Sequence, residues 1–169
     1  RRSAGFQAVT LFPAGTEIGL EIYASLKNCK NIALFGAGED ISNHARFAYP
    51  EYHTIPNIHT AHWLDELISI CHSLRISHIF PAHDDVIVAL SEAREKIPAT
   101  LIISDNDTCT TTRSKSATYG RVANDLPVHH VYAPGETIRK LRLFVKPDRG
   151  QGSLDAIKVE ATDHDRKST

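Results

Sequence analysis

Residues 7–12, Gln-Ala-Val-Thr-Leu-Phe, form a mostly apolar run that stops at Pro13. A run of this kind is typical of a parallel strand that is buried on both faces. The short segment that follows predicts a helix N-cap at Gly15 or Thr16. Apolar residues then recur at helical spacing as far as about Lys27. This stretch therefore predicts a strand, a tight loop and an amphipathic helix.

The same alternation of apolar runs and helical periodicity continues through residue 104. Strands that alternate with helices argue for a parallel sheet with helices on both faces. With right-handed crossovers, the result is a doubly wound, Rossmann-like α/β domain over residues 1–108. The further predicted strands lie at 31–35, 52–55, 77–81 and 100–103, and the further predicted helices lie at 60–74 and 84–96.

The character of the sequence changes after this domain. Residues 109–169 contain a predicted short helix at 113–122, an extended stretch at 128–132 and a strand at 141–147, which runs into a glycine-rich loop. The residues from Glu160 onward are too polar to pack much. We therefore predict that a second, incomplete α+β domain begins here.

The composition is that of an ordinary globular protein. The net charge is −1, whereas proteins that bind nucleic acid by bulk charge are usually clearly basic, so we expect no nucleic-acid partner. No apolar run approaches the ~20 residues that a membrane span needs, so we expect no membrane association. The three cysteines form no CxxC pair, and we interpret them as reduced thiols of a cytoplasmic protein.

Polar side chains follow several predicted strands of the first domain. In an open parallel sheet, ligands bind beyond the carboxyl ends of the strands, which share one edge. These side chains are therefore candidates for binding a small polar substrate. Helix capping by Thr16 and Asp84 is the alternative, and it requires no ligand. The candidates are Glu17, Asn43, His44, His83, Asp84 and Asp85.

Two other polar or glycine-containing motifs are given structural explanations. Gly36 and Gly38 lack the third glycine of a dinucleotide-binding fingerprint, and they follow the second strand instead of the first. Asp105-Asn106-Asp107 is interpreted as a polar turn and not as a magnesium site. We therefore predict no metal ligands within this chain.

The strand at 141–147 places Lys146 beside the glycine-rich loop at 148–153. Glycine admits unusual dihedral angles and leaves no side chain in the way, so such a loop exposes backbone N–H groups. A lysine beside exposed N–H groups suits a polyphosphate. The spacing matches neither a Walker A motif nor a GxGxxG at the start of a helix. A β-hairpin with a basic flank is the alternative.

Val145-Lys146-Pro147 and the glycine-rich loop resemble the strand and phosphate loop of the ATP-grasp superfamily. Upstream, Arg113-Ser114-Lys115 resembles the segment that opens the ATP-grasp domain, where a cation begins a helix and contacts nucleotide phosphate. The first hundred residues resemble the Rossmann-like domain that precedes it, and residues 11–19 and 80–85 are most similar to carbamoyl-phosphate synthase-type members. By this resemblance, the residues that would bind ATP are Lys115, Lys146, Gly150, Gln151, Gly152 and Ser153.

The resemblance implies a pre-ATP-grasp domain and the truncated start of an ATP-grasp domain. The whole enzyme would be an ATP-dependent ligase that activates a small-molecule carboxylate as an acyl phosphate, with Mg²⁺ ligands beyond residue 169. At Leu154-Asp155-Ala156 the chain departs from the family, which usually continues with glycine and small residues. The fragment itself is then expected to be inactive. A non-catalytic substrate-binding or regulatory Rossmann-like module is the alternative, and a homodimer is one option for the oligomeric state.

Overall fold

The computed structural model of the chain describes residues 6–40, 44–132, 135–137, 143–150 and 155–159. Contacts between residues divide the chain after Cys109 into two units, which span residues 1–109 and 110–169. We call them unit 1 and unit 2, and each is described by itself.

Five strands of unit 1 form a single parallel sheet. They are β1 (Gln7–Phe12), β2 (Ile32–Gly38), β3 (Tyr52–Thr54), β4 (His78–Pro81) and β5 (Thr100–Leu101). Their order across the sheet is β3-β2-β1-β4-β5, so the first strand lies at the centre. This is the strand order of a doubly wound, Rossmann-like sheet, and it confirms the predicted α/β fold class.

The helices of unit 1 lie between successive strands in the chain. They are α1 (Glu17–Leu26), α2 (Ala45–Ala48), α3 (Trp63–Leu74) and α4 (Asp84–Glu92). The predicted helix at 84–96 is divided in the structure, because a 3₁₀ turn at Arg94–Lys96 follows α4. Helix α2 was not predicted, since a single turn of four residues is too short to show an apolar period.

The apolar core of unit 1 lies on both faces of the sheet. Successive side chains of a strand point to opposite faces, so Ala8 and Phe12 pack in one cluster and Leu11 packs in the other. Leu11 and Ile79 are fully buried on neighbouring strands. Burying an aliphatic side chain of this size contributes about 1.5–3 kcal/mol, and this burial holds the carboxyl edge of the sheet in place.

Gly36 on β2 makes room for two tyrosine rings. A Cβ at this position would lie 2.8 Å from Cγ of Tyr49 and 2.9 Å from Cδ2 of Tyr52. The Tyr49 hydroxyl donates to the carbonyl of Gly19 over 2.8 Å, and burial raises the pKa of Tyr49. Ring packing therefore accounts for this glycine without a dinucleotide.

Unit 2 contains helix α6 (Lys115–Val122) and an antiparallel pair of strands, β6 (Leu143–Val145) and β7 (Ile157–Val159). Helix α5 (Asn106–Arg113) spans the division between the units. The prediction of a single helix at 113–122 missed α5, because its Asn, Asp and Thr residues have low helix propensity. The stretch at 128–132 forms no strand.

The three cysteines, Cys29, Cys71 and Cys109, are free thiols, and the last two are buried. Burial raises the pKa of the Cys71 thiol to about 11, so this sulfur is protonated and unreactive at neutral pH.

Among the described residues, no helix combines the length and the apolar character that crossing a bilayer requires.

Candidate functional site

The start of α6 is determined by Ser114. This residue has extended backbone dihedrals, with φ −106° and ψ 124°, and its hydroxyl accepts a hydrogen bond from the N–H of Ala117 over 3.1 Å. A serine in this position satisfies one of the N–H groups that the first turn leaves open. The cap makes Lys115 the first residue of the helix.

The Lys115 ammonium donates hydrogen bonds to the loop that follows β6. Its Nζ lies 2.9 Å from the carbonyl oxygen of Pro147, 3.1 Å from that of Asp148 and 3.5 Å from that of Gly150. The two shorter contacts occupy two of the three ammonium N–H donors, the third contact lies at the limit of hydrogen-bond distance, and carbonyl groups carry no net charge. No ion pair joins Lys115 to a carboxylate within the described ranges. The positive charge of Lys115 is therefore not neutralised there.

Asp148 ties the same loop to the start of α6. Its Oδ1 accepts from the N–H of Ser116 over 2.8 Å, and its Oδ2 accepts from the Ser114 hydroxyl over 2.7 Å. These donors, and then the charge of Arg149, lower the pKa of the Asp148 carboxyl to about 2. The sequence analysis missed this role, because no local pattern relates Asp148 to a serine 34 residues earlier.

Lys146 lies immediately after β6 and is exposed, with its ammonium 6.0 Å from the centroid of the Phe144 ring. Because Lys115 contacts the carbonyl of Pro147, its ammonium reaches the residue that follows Lys146. The structure thus brings the two predicted cation-bearing segments together. Whether both lysines bind one nucleotide stays a prediction.

Gly150 does not adopt the unusual dihedral angles that the sequence analysis expected of this loop. Gly150 has no positive φ, and a Cβ there would lie 3.4 Å from Cβ of Pro147, which is ordinary contact. Neither the backbone nor the space requires glycine at this position in the structure. Gln151, Gly152 and Ser153 lie outside the described residues. The alternative of a β-hairpin describes the backbone correctly, since β6 and β7 pair with Leu143 opposite Val159.

At the carboxyl edge of unit 1, two side chains serve as helix caps. Thr16 caps α1, because its hydroxyl accepts from the N–H of Gly19 over 3.0 Å, as expected. His83, and not Asp84, caps α4, because its Nδ1 accepts from the N–H of Asp85 over 3.2 Å. The expectation that Asp84 supplies this cap was wrong, since Asp84 is already the first helical residue.

The other candidates that the structure describes lie in the first turns of α1 and α4 or just before α2. The Thr16 hydroxyl also donates to the carbonyl of Ala82 over 2.9 Å, so the loops after β1 and β4 meet just before Glu17 and His83. Glu17 is exposed in the first turn of α1, and Asp84 and Asp85 are half-buried in the first turn of α4. His44 is exposed before α2 and caps nothing with its side chain, and Asn43 lies outside the described residues. A substrate-binding role for these residues stays a prediction.

Asp105 has a structural role at the start of α5. Its carboxylate accepts from the N–H of Thr108 over 2.8 Å and from the Thr108 hydroxyl over 3.1 Å, and these bonds lower the pKa of Asp105. Among the described residues, no three His, Cys, Asp or Glu side chains are grouped so that they could hold a metal ion.

No protein-family model matches the sequence, and no curated protein is significantly similar to it in sequence. Solved structures are similar in fold. Pyruvate carboxylase from Rhizobium etli has a TM-score of 0.65 at 16% identity, over 96% of this chain and 16% of that one. L-amino acid ligase from Bacillus licheniformis has a TM-score of 0.61 at 13% identity, over 98% of this chain and 42% of that one. Glycinamide-RNase-transformylase T from Mycobacterium tuberculosis has a TM-score of 0.53 at 15% identity, over 70% of this chain and 35% of that one.

The chain spans between 16% and 42% of the length of these three proteins. All three are ATP-grasp enzymes. At such low identity the similarity concerns the fold, and it agrees with the fold that the sequence resemblance implied. The chain shares its fold with a part of each of these three proteins.

Proposed function

We propose that this chain is part of an ATP-dependent ligase, and that the start of α6 and the loop after β6 form part of its nucleotide-phosphate site. The observation that carries the proposal is the 2.9 Å hydrogen bond from Nζ of Lys115 to the carbonyl of Pro147, the residue next to Lys146. It joins two cation-bearing segments that are 32 residues apart in the sequence.

The chemistry of phosphoryl transfer explains why two lysines would be useful there. When bound, ATP supplies the phosphoryl group that activates a carboxylate. A transferring phosphoryl group carries negative charge on its oxygens, and catalysis of its transfer consists mainly of positioning and of stabilising that charge. The described partners of Lys115 are neutral carbonyls that do not offset its charge, and Lys146 presents an exposed ammonium. Both side chains fit the phosphates of a nucleotide.

The finer assignment is a carbamoyl-phosphate synthase-like ligase that acts on a small-molecule carboxylate. It is supported by the sequence resemblance at residues 11–19 and 80–85, and the fold is shared with proteins named as a carboxylase and as an L-amino acid ligase. ATP would act together with Mg²⁺, for which the described residues contain no suitable group of three His, Cys, Asp or Glu side chains. We keep a cytoplasmic location, the absence of nucleic-acid and membrane partners, and the option of a homodimer as expectations.

The test is nucleotide affinity of the full-length protein with Lys146→Ala. A charge-assisted contact contributes roughly 1.5–3 kcal/mol, so affinity for ATP with Mg²⁺ should fall about tenfold or more. Isothermal titration calorimetry measures this directly. Lys30→Ala removes an equally exposed lysine from unit 1 and should leave the affinity unchanged. Equal affinities of the Lys146→Ala protein and the wild type would contradict the proposal.

The expected inactivity of the fragment has its own test. We expect no ATP hydrolysis by the 169-residue chain alone, because no group of three His, Cys, Asp or Glu side chains among the described residues could hold the Mg²⁺ that accompanies ATP. A phosphate-release assay on this chain and on a longer one compares the two. Turnover by the 169-residue chain at the rate of the longer one would contradict the expectation.

A further inference from the structure

Asp148 makes more bonds to the start of α6 than a helix cap requires. Its two carboxylate oxygens accept from Ser116 and Ser114, and its carbonyl accepts from the N–H of Lys115 over 3.2 Å. The helix is already capped locally, because the Ser114 hydroxyl accepts from Ala117. The contacts of Asp148 therefore have a consequence other than starting the helix.

That consequence concerns the Lys115 side chain. The carbonyl of Asp148 also accepts from Nζ of Lys115 over 3.1 Å, between the neighbouring contacts to Pro147 and Gly150. A lysine side chain has many rotamers, and ordering it costs conformational entropy. Because Asp148 holds the loop on α6, these carbonyls hold the ammonium in one place.

The negative charge of Asp148 is compatible with a nearby phosphate. Both of its carboxylate oxygens are hydrogen-bonded to donors in the first turn of α6. The partial positive charge of a helix N-terminus favours a carboxylate there and offsets part of its field. The carboxylate is thus satisfied by the protein, while the Lys115 ammonium is bonded only to neutral carbonyls among the described residues.

We propose that Asp148 is a positioning residue of the phosphate site, which holds the loop 147–150 on α6 so that its carbonyls orient the Lys115 ammonium toward the nucleotide. The inference rests on the proposed function, since it concerns the same site. Asp148 itself does not contact the nucleotide and acts through Lys115.

A double-mutant cycle in the full-length protein tests this inference. The affinity for ATP with Mg²⁺ is measured by calorimetry for the wild type, Asp148→Ala, Lys115→Ala and the double variant. Asp148→Ala alone should weaken binding about tenfold, the effect of a lost charge-assisted contact. In the Lys115→Ala background the same change should weaken binding less than about twofold, because residues that act as a unit are not additive.

Two further variants separate positioning from general damage. Asp148→Asn keeps an oxygen that can accept from Ser116, so it should bind more tightly than Asp148→Ala. Asp125→Ala removes an exposed carboxylate of unit 2 that forms no hydrogen bond or ion pair with the described residues, and it should bind like the wild type. Wild-type affinity of Asp148→Ala, or an equal loss in both backgrounds, would overturn the inference and leave the proposed function standing. Failure of the wild type itself to bind ATP would overturn the proposed function.

Discussion

Unit 1 and unit 2 are stabilised in different ways. In unit 1 the side chain of Ile79 on β4 is fully buried, and the polar groups at the sheet edge that form bonds mostly cap helices. Among the described residues of unit 2, Ile157 on β7 is 59% exposed, and hydrogen bonds of Lys115 and Asp148 join segments that are 32 to 34 residues apart. Unit 1 is therefore an apolar scaffold, whereas charged groups make hydrogen bonds between distant segments in the described part of unit 2.

The largest effect that separates the two units should come from Ile79→Ala. Truncating a buried isoleucine removes its transfer energy and leaves a cavity, so the free energy of unfolding should fall by about 2–5 kcal/mol. Ile157→Ala is the matched control, because the same truncation at an exposed site should change it by less than about 1 kcal/mol. Urea unfolding followed by circular dichroism measures both values. Equal losses would show that unit 2 also depends on apolar burial.

Replacing a helical glycine by alanine should change the free energy of unfolding by a smaller amount, and in opposite directions in the two units. A Cβ at Gly19 in α1 would lie 2.9 Å from the carbonyl oxygen of Ala14, whereas at Gly120 in α6 nothing lies within 4 Å. Gly19→Ala should therefore lower the free energy of unfolding by about 1–3 kcal/mol through overpacking. Gly120→Ala should raise it by up to about 1 kcal/mol through helix propensity. The same urea titrations report both signs, and destabilisation by Gly120→Ala would mean that α6 is packed more closely than in the structure.

The smallest effect is a pH dependence of local stability, and it distinguishes the start of α6 from the start of α1. The pKa of Asp148 is lowered to about 2, below the ~3.9 of an unfolded aspartate. Its contribution to stability is therefore complete above about pH 4 and is lost as the pH falls through about 2. The amide of Ser116 should lose hydrogen-exchange protection over this range. The amide of Gly19, which is bonded to the Thr16 hydroxyl, provides the internal control.

Asp148→Asn is the variant that checks the assignment of this pH dependence. It removes the titrating group, so the protection of Ser116 should become insensitive to pH between about 4 and 2. If this variant kept the full pH dependence, another titrating group of unit 2 would be its cause.

Much of the fold of unit 1 was predictable because its signals are local. Strand β1 spans Gln7–Phe12 as predicted, since an apolar run ended by Pro13 reports both burial and a chain break. The predicted strand ended at Phe35. In the structure β2 continues to Gly38 and includes Gly36, which pairs with Tyr52. Glycine has no side chain that would show a period, so the pairing of these residues was not visible in the sequence.

The candidate site was predictable in part. The spacing around Lys115 and Lys146, together with the family resemblance, indicated which segments would meet. The cap of α4 was assigned to the wrong residue, because Asp is a commoner cap than His and nothing in the sequence distinguishes positions 83 and 84. Asp148 was treated only as a loop residue, since its partners are 32 to 34 residues away.

The sequence by itself determined the alternation of strands and helices, the cap at Thr16 and the two lysines at the start of a helix and the end of a strand. These features depend on neighbours within one or two turns, and such interactions can be read from residue spacing. Only the tertiary structure decided that Asp148 joins the loop to α6 and that the loop carbonyls hold the Lys115 ammonium. Those contacts depend on distances in space between segments that the chain order does not relate.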